Sequence, residues 1–599
     1  MATSVGQFLV NDVLPQSHQI SGPHTNKSLH DHVVDLAKSD PRKYVATVMA
    51  LKRRGDEIAT LEGISVGLDD IEPDYHARDA IVRPALAKMD KLKDPGARER
   101  LIVDTQAKLL EHTKTHKGSM THMALSGARG NPAQLMKIVA SPLATVHPKH
   151  GVLHQLIDRS YSEGLTPAQY WMTGPEIREN EVKARISVSE PGEMAKVLVA
   201  NMISKVVTTS DCGTMNGVKM SIDDGHILDR HTQADHGLLR NSLVTPQIVQ
   251  QLKAKGVHHL LVRSPMTCIA RQGVCQMCQG HNEKGQLHPI GVTVGVRAAQ
   301  AMAEPLTQMA LSSRHGTLTV KTTDKSPTGL KGVRQLLEVP AAFRHEAVLA
   351  PDHGSITKIE NAPQGGHYIF LGTKKIYAAP DLSLRVKVGD YVERGDALTT
   401  GIPHPAKVVG YKGLGAGRAY FVDALHGIYQ KEGINLDKRH MELLAKSEIN
   451  HVRLLDVDPE HPEFIKGDII NYNAFREAYH AGASRVPVEQ AVGHRLGQEV
   501  LHHTVGTPVT PALAKSLRDQ GVKEVAINKR IPSVEFVMKP FTMNPLLEKD
   551  WMARLAHRYL KSTLQEAAHF GDTSDIHGTH PVPAYAFGAE LQHGADGAY

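Results

Sequence analysis

The chain has 599 residues, enough for roughly three to six domains at about 100–200 residues each. Hydrophobic residues make up 41% and charged residues 22%, with a formal charge of +6; this excludes a fibre or long disorder and is compatible with nucleic acid without indicating it. No apolar run approaches the ~18 residues of a membrane span, and the opening MATSVGQFLVNDVLPQ lacks the basic start and long apolar core of a signal peptide.

Residues 1–70 read as mixed structure with a turn-rich patch at Ser21-Gly22-Pro23. From about Ile71 to His116 the pattern is helical, and Asp94-Pro95-Gly96 interrupts it, which predicts an αα-hairpin. On its second arm Leu101, Ile102, Thr105, Leu109 and Leu110 share a face. An ordinary packed helix pair and a protruding rim both fit. Residues 164–200 have helical composition but contain Pro175, Pro191 and Gly192. Interior proline removes a hydrogen bond and crowds the preceding turn. Length and composition therefore favour two or three short helices over one long helix built to bend. Residues 290–316 are helical again, rich in Ala and Met, with a break expected at Pro305. Residues 317–328 carry Gly, Thr, Ser and Pro and read as a loop. From about 345 to 405 short β runs alternate with turns, and the last 190 residues are mixed, with a helix near Ala553–Ala568.

All 4 cysteines fall within residues 201–289. They are too few for a disulfide scaffold, so a reducing compartment is the default and clustering points to metal or catalysis. Cys275-Gln276-Met277-Cys278 is a C-x2-C knuckle flanked by Gly273 and Gly280, with Cys268 before it and Cys212 in a second turn, Asp211-Cys212-Gly213-Thr214. The knuckle with Cys268 and Cys212 would supply the four thiolates of a closed tetrahedral zinc site, which would hold the fold and leave no open position for catalysis. A redox dithiol and inert buried cysteines are the rivals. The redox form usually opens a helix after a strand, whereas glycines surround this knuckle.

Together these segments resemble the C-terminal half of the largest subunit, β′, of multisubunit DNA-directed RNA polymerase. Val66-Gly67-Leu68-Asp69-Asp70 precedes the helix pair, as before the family's rim helices of the secondary channel. Ser126-Gly127-Ala128-Arg129-Gly130-Asn131 is similar to its S-G-A-R-G segment. The proline-bearing helix at 164–198 looks like the bridge helix and stands directly before Asp211-Cys212-Gly213-Thr214. The C-x6-C-x2-C at 268–278 is similar to the rest of the β′ zinc site. GVRAAQAMAEPLTQMALSSRH at 295–315 resembles the trigger-helix motif, and GLKGVRQLLEV at 329–339 the helix after the trigger loop. VGDYVERGD and Asp437-Lys438-Arg439-His440-Met441-Glu442 resemble C-terminal β′.

The resemblance implies an α+β multidomain chain of β′ C-terminal type. Its parts would be a funnel region at 1–160 with the hairpin at about 71–116, a bridge helix at 161–200, a zinc module at 201–289 and trigger helices and loop at 290–340. A β-rich jaw or barrel-sandwich module at 341–410 and a cleft and clamp-base region at 411–599 would follow. The family's Mg²⁺-binding D-x-D-x-D triad has no counterpart: Asp456-Val457-Asp458 offers two carboxylates and continues into Pro459. The resemblance therefore implies a naturally split β′, most similar to those of giant bacteriophages. The Mg²⁺ would be held mainly by another subunit, while this chain would hold the structural Zn²⁺ through Cys212, Cys268, Cys275 and Cys278.

Implied partners are an N-terminal β′ fragment, β-like subunits (whole or split), a promoter-specificity subunit, DNA template, RNA transcript and nucleoside triphosphates, with no membrane. The implied location is the cytoplasm of an infected bacterial host, or the virion if packaged. The implied reaction is two-metal nucleotidyl transfer. Gln308, Leu311 and His315 lie at i, i+3 and i+7, one helical face. By the resemblance Leu311 packs on the incoming base, Gln308 approaches the ribose, and His315 sits by the β-phosphate as charge stabiliser or proton donor. Arg178 alone survives of the family's G-A-R-x-G, Arg129 lies near the side by which nucleotides arrive, and Val188, Ser189, Gly192 and Lys196 are template-side positions. Two departures stand out: Ser312 replaces the family's trigger-helix Arg, and Val188-Ser189 replaces Thr-Ala. Pro191 would pre-set a bend where the family's helix flexes; alternatively it only ends a helix. The rival function is a non-catalytic, zinc-dependent architectural or regulatory transcription protein derived from polymerase. The segment VKVGDYVERGDAL, although like half of a lipoyl hairpin, lacks the lysine at its tip, and Gly413-Leu414-Gly415-Ala416-Gly417 reads as a glycine-rich turn without dinucleotide-binding spacing.

Overall fold

The computed structural model describes residues 4–22, 25–63, 65–147, 151–186, 189–312, 329–456, 460–462, 464–480, 482–548, 550–555, 560–574 and 578–586. The chain divides into two units: Met1–Val188 with Leu311–Asp324, and Ser189–Ala310 with Lys325–Tyr599.

The first unit is mainly helical. Helices α1 (Asn26–Ser39) and α2 (Pro41–Glu62) form its first pair. Thr25 and Ser28 cap α1 reciprocally, and Pro41 opens α2 at the position where a missing N–H costs nothing. Residues 1–70, read as mixed from sequence, are thus largely helical. The expected αα-hairpin is present as α3 (Tyr75–Met89) and α4 (Pro95–Thr113). The Asp94-Pro95-Gly96 interruption is the start of the second arm, where the Asp94 carboxylate accepts the Gly96 and Ala97 N–H groups. Ile102, Thr105 and Leu109 are buried on the predicted face of α4. Ile102 and Leu109 join Val82, Ala85 and Met89 of α3, Met136 of α6 (Pro132–Val139, after α5, Ser119–Ser126) and Leu143 in one core. The pair is therefore packed along one side. Helix α7 (Pro167–Ile186) carries Pro175 in its interior without ending there.

The second unit opens with α8 (Ser189–Met202). Residues 187 and 188 lie outside the description. Pro191 is the third described residue of α8, and the helix continues past it to Met202, so it does not end the helix. Strands β1 (Val207–Thr209), β2 (Val218–Ser221), β3 (His259–Val262) and β4 (Val274–Cys275) follow, with α9 (Pro246–Ala254) between β2 and β3 and the short α10 (Gln276–Gln279) after β4. β1 pairs with β4 in parallel, and β2 with β3 antiparallel.

Helix α11 (Val294–Ser312) runs without interruption through Pro305, contrary to the expected break. Proline there removes the N–H that would meet the Ala301 carbonyl. Burial of Pro305 offsets this, and the Tyr429 hydroxyl donates to the adjacent Met302 carbonyl at 2.8 Å. The 317–328 loop reading lies outside the described residues. After α12 (Gly329–Glu338) comes the expected β-rich region. It is a four-stranded antiparallel sheet in the order β8 (Tyr391–Val392), β5 (Gly354–Asn361), β6 (His367–Leu371), β7 (Lys374–Ala378), with its own core around Ile356, Ile369 and Leu398.

The glycine-rich 413–417 segment is not a turn. It lies inside α13 (Pro405–Lys431), kinked at Gly413, whose φ is 88°. A Cβ on Gly415 would stand 1.9 Å from the His502 carbonyl oxygen, so these glycines serve close backbone approach. Helix α14 (Lys438–Glu448) packs on α13. A three-stranded sheet, β10 (Ile469–Asn471), β9 (His451–Leu454), β13 (Val534–Val537), and an antiparallel pair, β11 (Ser484–Pro487) with β12 (Glu524–Ile527), complete the unit. Near the helix expected at Ala553–Ala568 the described residues form a four-residue helix, Trp551–Arg554, and α15 (Leu560–Phe570), with residues 556–559 outside the description. One large core joins α8, α11, α12, α13 and α14, and the buried cysteines belong to it.

Candidate metal centre and helix faces

The four cysteines converge. All their Sγ atoms lie within 4.8 Å of one another, and the Cys212–Cys278 separation is 3.8 Å. Tetrahedral zinc with Zn–S near 2.3 Å needs sulfurs about 3.8 Å apart, so the residues present fit such an ion. Cys268, Cys275 and Cys278 are buried and Cys212 is partly so. Burial drives the Cys278 thiol pKa well up, while hydrogen bonds from the other three drive that of Cys212 down. Four thiolates packed so closely require a cation. Among the described residues this is the one group of three or more candidate ligands brought so close.

The local fold explains the convergence. β4 ends at Cys275, whose Sγ accepts the Cys278 N–H at 3.3 Å as α10 begins, and Cys268 Sγ accepts the Cys275 N–H at 3.4 Å. Gly273 and Gly280 both take positive φ beside the knuckle. The knuckle thus does open a short helix after a strand, so the sequence argument against a redox dithiol does not hold. What separates the readings is the presence of four sulfurs rather than two.

Sequence reasoning missed the shell around these sulfurs. Arg263, with no exposed side-chain surface, places Nη2 3.4 Å from Cys212 Sγ, 3.5 Å from Cys275 Sγ and 3.3 Å from Cys278 Sγ. The same nitrogen lies 2.7 Å from Asp211 Oδ1, and Nη1 donates to Asn241 Oδ1 at 2.6 Å. Burial raises the Asp211 pKa, but hydrogen bonds from Arg263, the Gly213 N–H and Asn241 outweigh it and bring it down to about 2. The only signal was an arginine closing the apolar run His259–Val262 five positions before a cysteine. Buried Lys446 donates to the Cys268 carbonyl at 2.5 Å.

The remaining expected residues are spread over both units. Arg129 is exposed in the loop between α5 and α6 and does not open a helix. Gly127 ends α5 in the left-handed region, and Asn131 caps α6 at Pro132. Arg178 is exposed on α7, its Nε donating to the Gly174 carbonyl at 3.3 Å. Ser189, Gly192, Glu193 and Lys196 form the exposed face of α8, opposite buried Met194, Val197 and Leu198. Val188 and His315 lie outside the described residues. Gln308 is exposed on α11 and donates to Glu304 Oε1 at 2.5 Å. Leu311 belongs to the last turn of that helix. The structure brings the four cysteines together; Arg129 and Arg178 belong to the first unit, and Ser189, Gly192, Lys196 and Gln308 to the second. Within the second unit an open pocket of about 450 Å³ separates α8 from α12, with Glu190, Met194, Arg334 and Phe541 on its walls. Glu190 and Arg334 approach to 3.7 Å across it. No helix among the described residues is long and apolar enough to cross a membrane.

Residues 164–364, from α7 through the whole of β5, match the family model for RNA polymerase Rpb1, domain 5. The chain is 27% identical over 527 residues to the DNA-directed RNA polymerase subunit beta' of Kineococcus radiotolerans, covering 79% of this chain and 40% of that protein. It is 26% identical over 525 residues to the same subunit of Bifidobacterium animalis, covering 80% and 38%. It is 24% identical over 556 residues to that of Staphylococcus epidermidis, covering 80% and 46%. The chain thus spans about two fifths of the length of the curated relatives it matches. Over about four fifths of its own length, it is similar to β′-type subunits of RNA polymerase.

Proposed function

We propose that this chain is the part of a β′-type RNA polymerase subunit that carries the bridge and trigger helices, and that it adds ribonucleotides only together with a second polypeptide holding the Mg²⁺-binding aspartates. The observation that carries this reading is order along the chain. Helices α7 and α8, the four-cysteine centre, α11 with Gln308, and α12 follow one another inside the segment that matches Rpb1 domain 5.

In this reading Cys212, Cys268, Cys275 and Cys278 hold one structural Zn²⁺ that ties the 201–289 module to the core. The partner's Mg²⁺ ions would activate the RNA 3′-hydroxyl and stabilise the leaving pyrophosphate. This chain's residues then position and exclude water. The exposed Ser189–Gly192–Lys196 face of α8, with Val188, runs under the template. Arg178 of α7 and Arg129 contact the incoming nucleotide's charge. Gln308, Leu311 and His315 close over its ribose, base and β-phosphate. With Ser312 in place of an arginine, one phosphate contact of the family falls to another group. Pro191 sets a bend ahead of the α8 face. The remaining partners are β-like chains, a promoter-specificity subunit, DNA and RNA, in the setting of a giant bacteriophage infection.

Reconstitution with the companion chains tests this reading. The chain alone is expected to synthesise no RNA. In the assembled enzyme His315→Ala is expected to slow elongation by about 100-fold or more, the usual contribution of a positioned proton donor. An unchanged elongation rate would favour the architectural, non-catalytic role.

A further inference from the structure

We propose that Arg263 is a positioning residue of the cysteine centre: through N–H···S hydrogen bonds to Cys212, Cys275 and Cys278 it holds three thiolates in place and offsets the charge of a buried zinc–tetrathiolate unit. This rests on the reading of the four cysteines as a zinc site.

Four thiolates around one divalent cation leave two net negative charges, and such charge is costly in a core unless it is paired. Two buried cations stand against the site from different sides. Lys446 reaches the backbone at Cys268, the one sulfur-bearing residue that Arg263 does not touch. Arg263 covers the other three sulfurs with a single nitrogen. Asp211 and Asn241 anchor the guanidinium from outside, while Arg240 and Asn241, each 3.0 Å from Asp211 Oδ2, hold that carboxylate in turn. A guanidinium suits the task because its flat fork lets Nη1 anchor on Asn241 while Nη2 faces the sulfurs and Asp211, which a single ammonium nitrogen does not do.

Hydrogen bonds to coordinated thiolates lower the energy of the sulfur lone pairs and make the thiolates poorer nucleophiles, so the metal is retained. The outer partners of metal ligands typically account for about 10–100-fold in affinity.

The test uses the full chain loaded with Zn²⁺ or Co²⁺. Wild type is expected to bind about one metal per chain and to show sulfur-to-cobalt charge-transfer bands. In Arg263→Met these bands should move to lower energy, and zinc loss to excess EDTA should accelerate by about 10–100-fold. Because that substitution also takes one of its cationic partners from the Asp211 carboxylate, which keeps Arg240 and Asn241, the double variant Arg263→Met/Asp211→Asn is measured beside it. If Arg263 serves folding alone, the double variant regains wild-type bands and release. Arg263→Lys, which keeps the charge and loses the fork, should fall between. Wild-type band positions and release rates in a folded double variant would overturn the proposal while leaving the zinc reading intact. A wild-type chain that binds no metal would overturn both.

Discussion

Arg230 and Glu442 face each other through two parallel hydrogen bonds, Nη1 to Oε2 at 2.8 Å and Nη2 to Oε1 at 2.7 Å. Their side chains are only 1% and 3% exposed. Arg230 also donates through Nε to the His226 carbonyl, and Glu442 accepts the Ser264 hydroxyl. Three positions before Glu442, Arg439 donates to the carbonyls of Gln279 and His281, just beyond the cysteine knuckle. One face of α14 is thereby fastened to the cysteine-bearing module by charge as well as by apolar packing.

Breaking that pair from one side leaves a buried charge alone. Arg230→Met or Glu442→Gln is expected to destabilise the second unit by about 3–5 kcal/mol. The double replacement Arg230→Met/Glu442→Leu should cost less than the worse single change, since it removes both charges. Urea denaturation followed through this unit checks the order. A double variant as unstable as the sum of the singles would show that the pair's neighbours, not the pair, carry the effect.

Two glycines of α13 should respond in opposite directions. Gly415→Ala drives a methyl into the His502 carbonyl, 1.9 Å away, and neither partner is a flexible side-chain end. It should cost about 1–3 kcal/mol or more, as overpacking does. Gly427 has nothing within 4 Å of an added Cβ and no positive φ. Gly427→Ala should therefore gain about 0.5–1 kcal/mol in the helix. Thermal denaturation of the two variants against wild type reads both signs.

Those glycines mark where the sequence was hard to read. A cluster at 413–417 has the composition of a turn, whereas the need for glycine comes from a kink at Gly413 and from the close approach of the residue 502 backbone to Gly415. Pro305 was misplaced for a related reason: a tertiary hydrogen-bond donor, Tyr429, reaches a helix carbonyl beside the position proline disables. By contrast the hairpin around Asp94 was legible, because apolar spacing and an Asp-Pro cap are local signals. The cysteine site was legible because the chain's 4 cysteines cluster within residues 201–289, two of them in one C-x2-C knuckle. Its charge compensation was not, because Arg263 meets Cys212 from 51 positions away in sequence and looks like any arginine after a strand.

Removing metal should loosen the second unit where the cysteines lie. Cys268, Cys275 and Cys278 sit in the main core beside Val207 and Val274. Without the cation, the buried sulfurs lose the bonds that tie them together and must take up protons, since burial disfavours free thiolates there. Exhaustive chelation is expected to lower stability by at least a few kcal/mol, as in structural zinc sites generally. Hydrogen exchange should rise first in residues 203–292, with the α3–α4 hairpin unaffected. Uniform exchange in both samples would mean that packing alone holds the module.

Glu448 and His451 make opposite pH demands a few residues apart. The Glu448 side chain is fully buried, and neither carboxylate oxygen has a hydrogen-bond partner among the described residues. Burial pushes its pKa well above the ordinary 4.5, against the pull of Lys205. Burial likewise pushes the His451 imidazole down to about 4 from 6.5, helped by Lys205, Arg418 and Lys539. Above pH 4.5 the unfolded chain releases the Glu448 proton while the folded chain keeps it, so this group lowers stability as pH rises. Below pH 6.5 the unfolded chain protonates His451 while the folded chain does not down to about pH 4, so this group lowers stability as pH falls. Between those limits the two slopes, each about 1.4 kcal/mol per pH unit, oppose each other. Glu448→Gln removes only the first. The stability of the variant relative to wild type should therefore climb with pH from about 4.5 upward until Glu448 ionises in the folded chain, and denaturation midpoints measured across pH 4–9 give that difference directly. A difference independent of pH would mean that Glu448 is already ionised in the folded protein, held by a cation closer than burial alone allows.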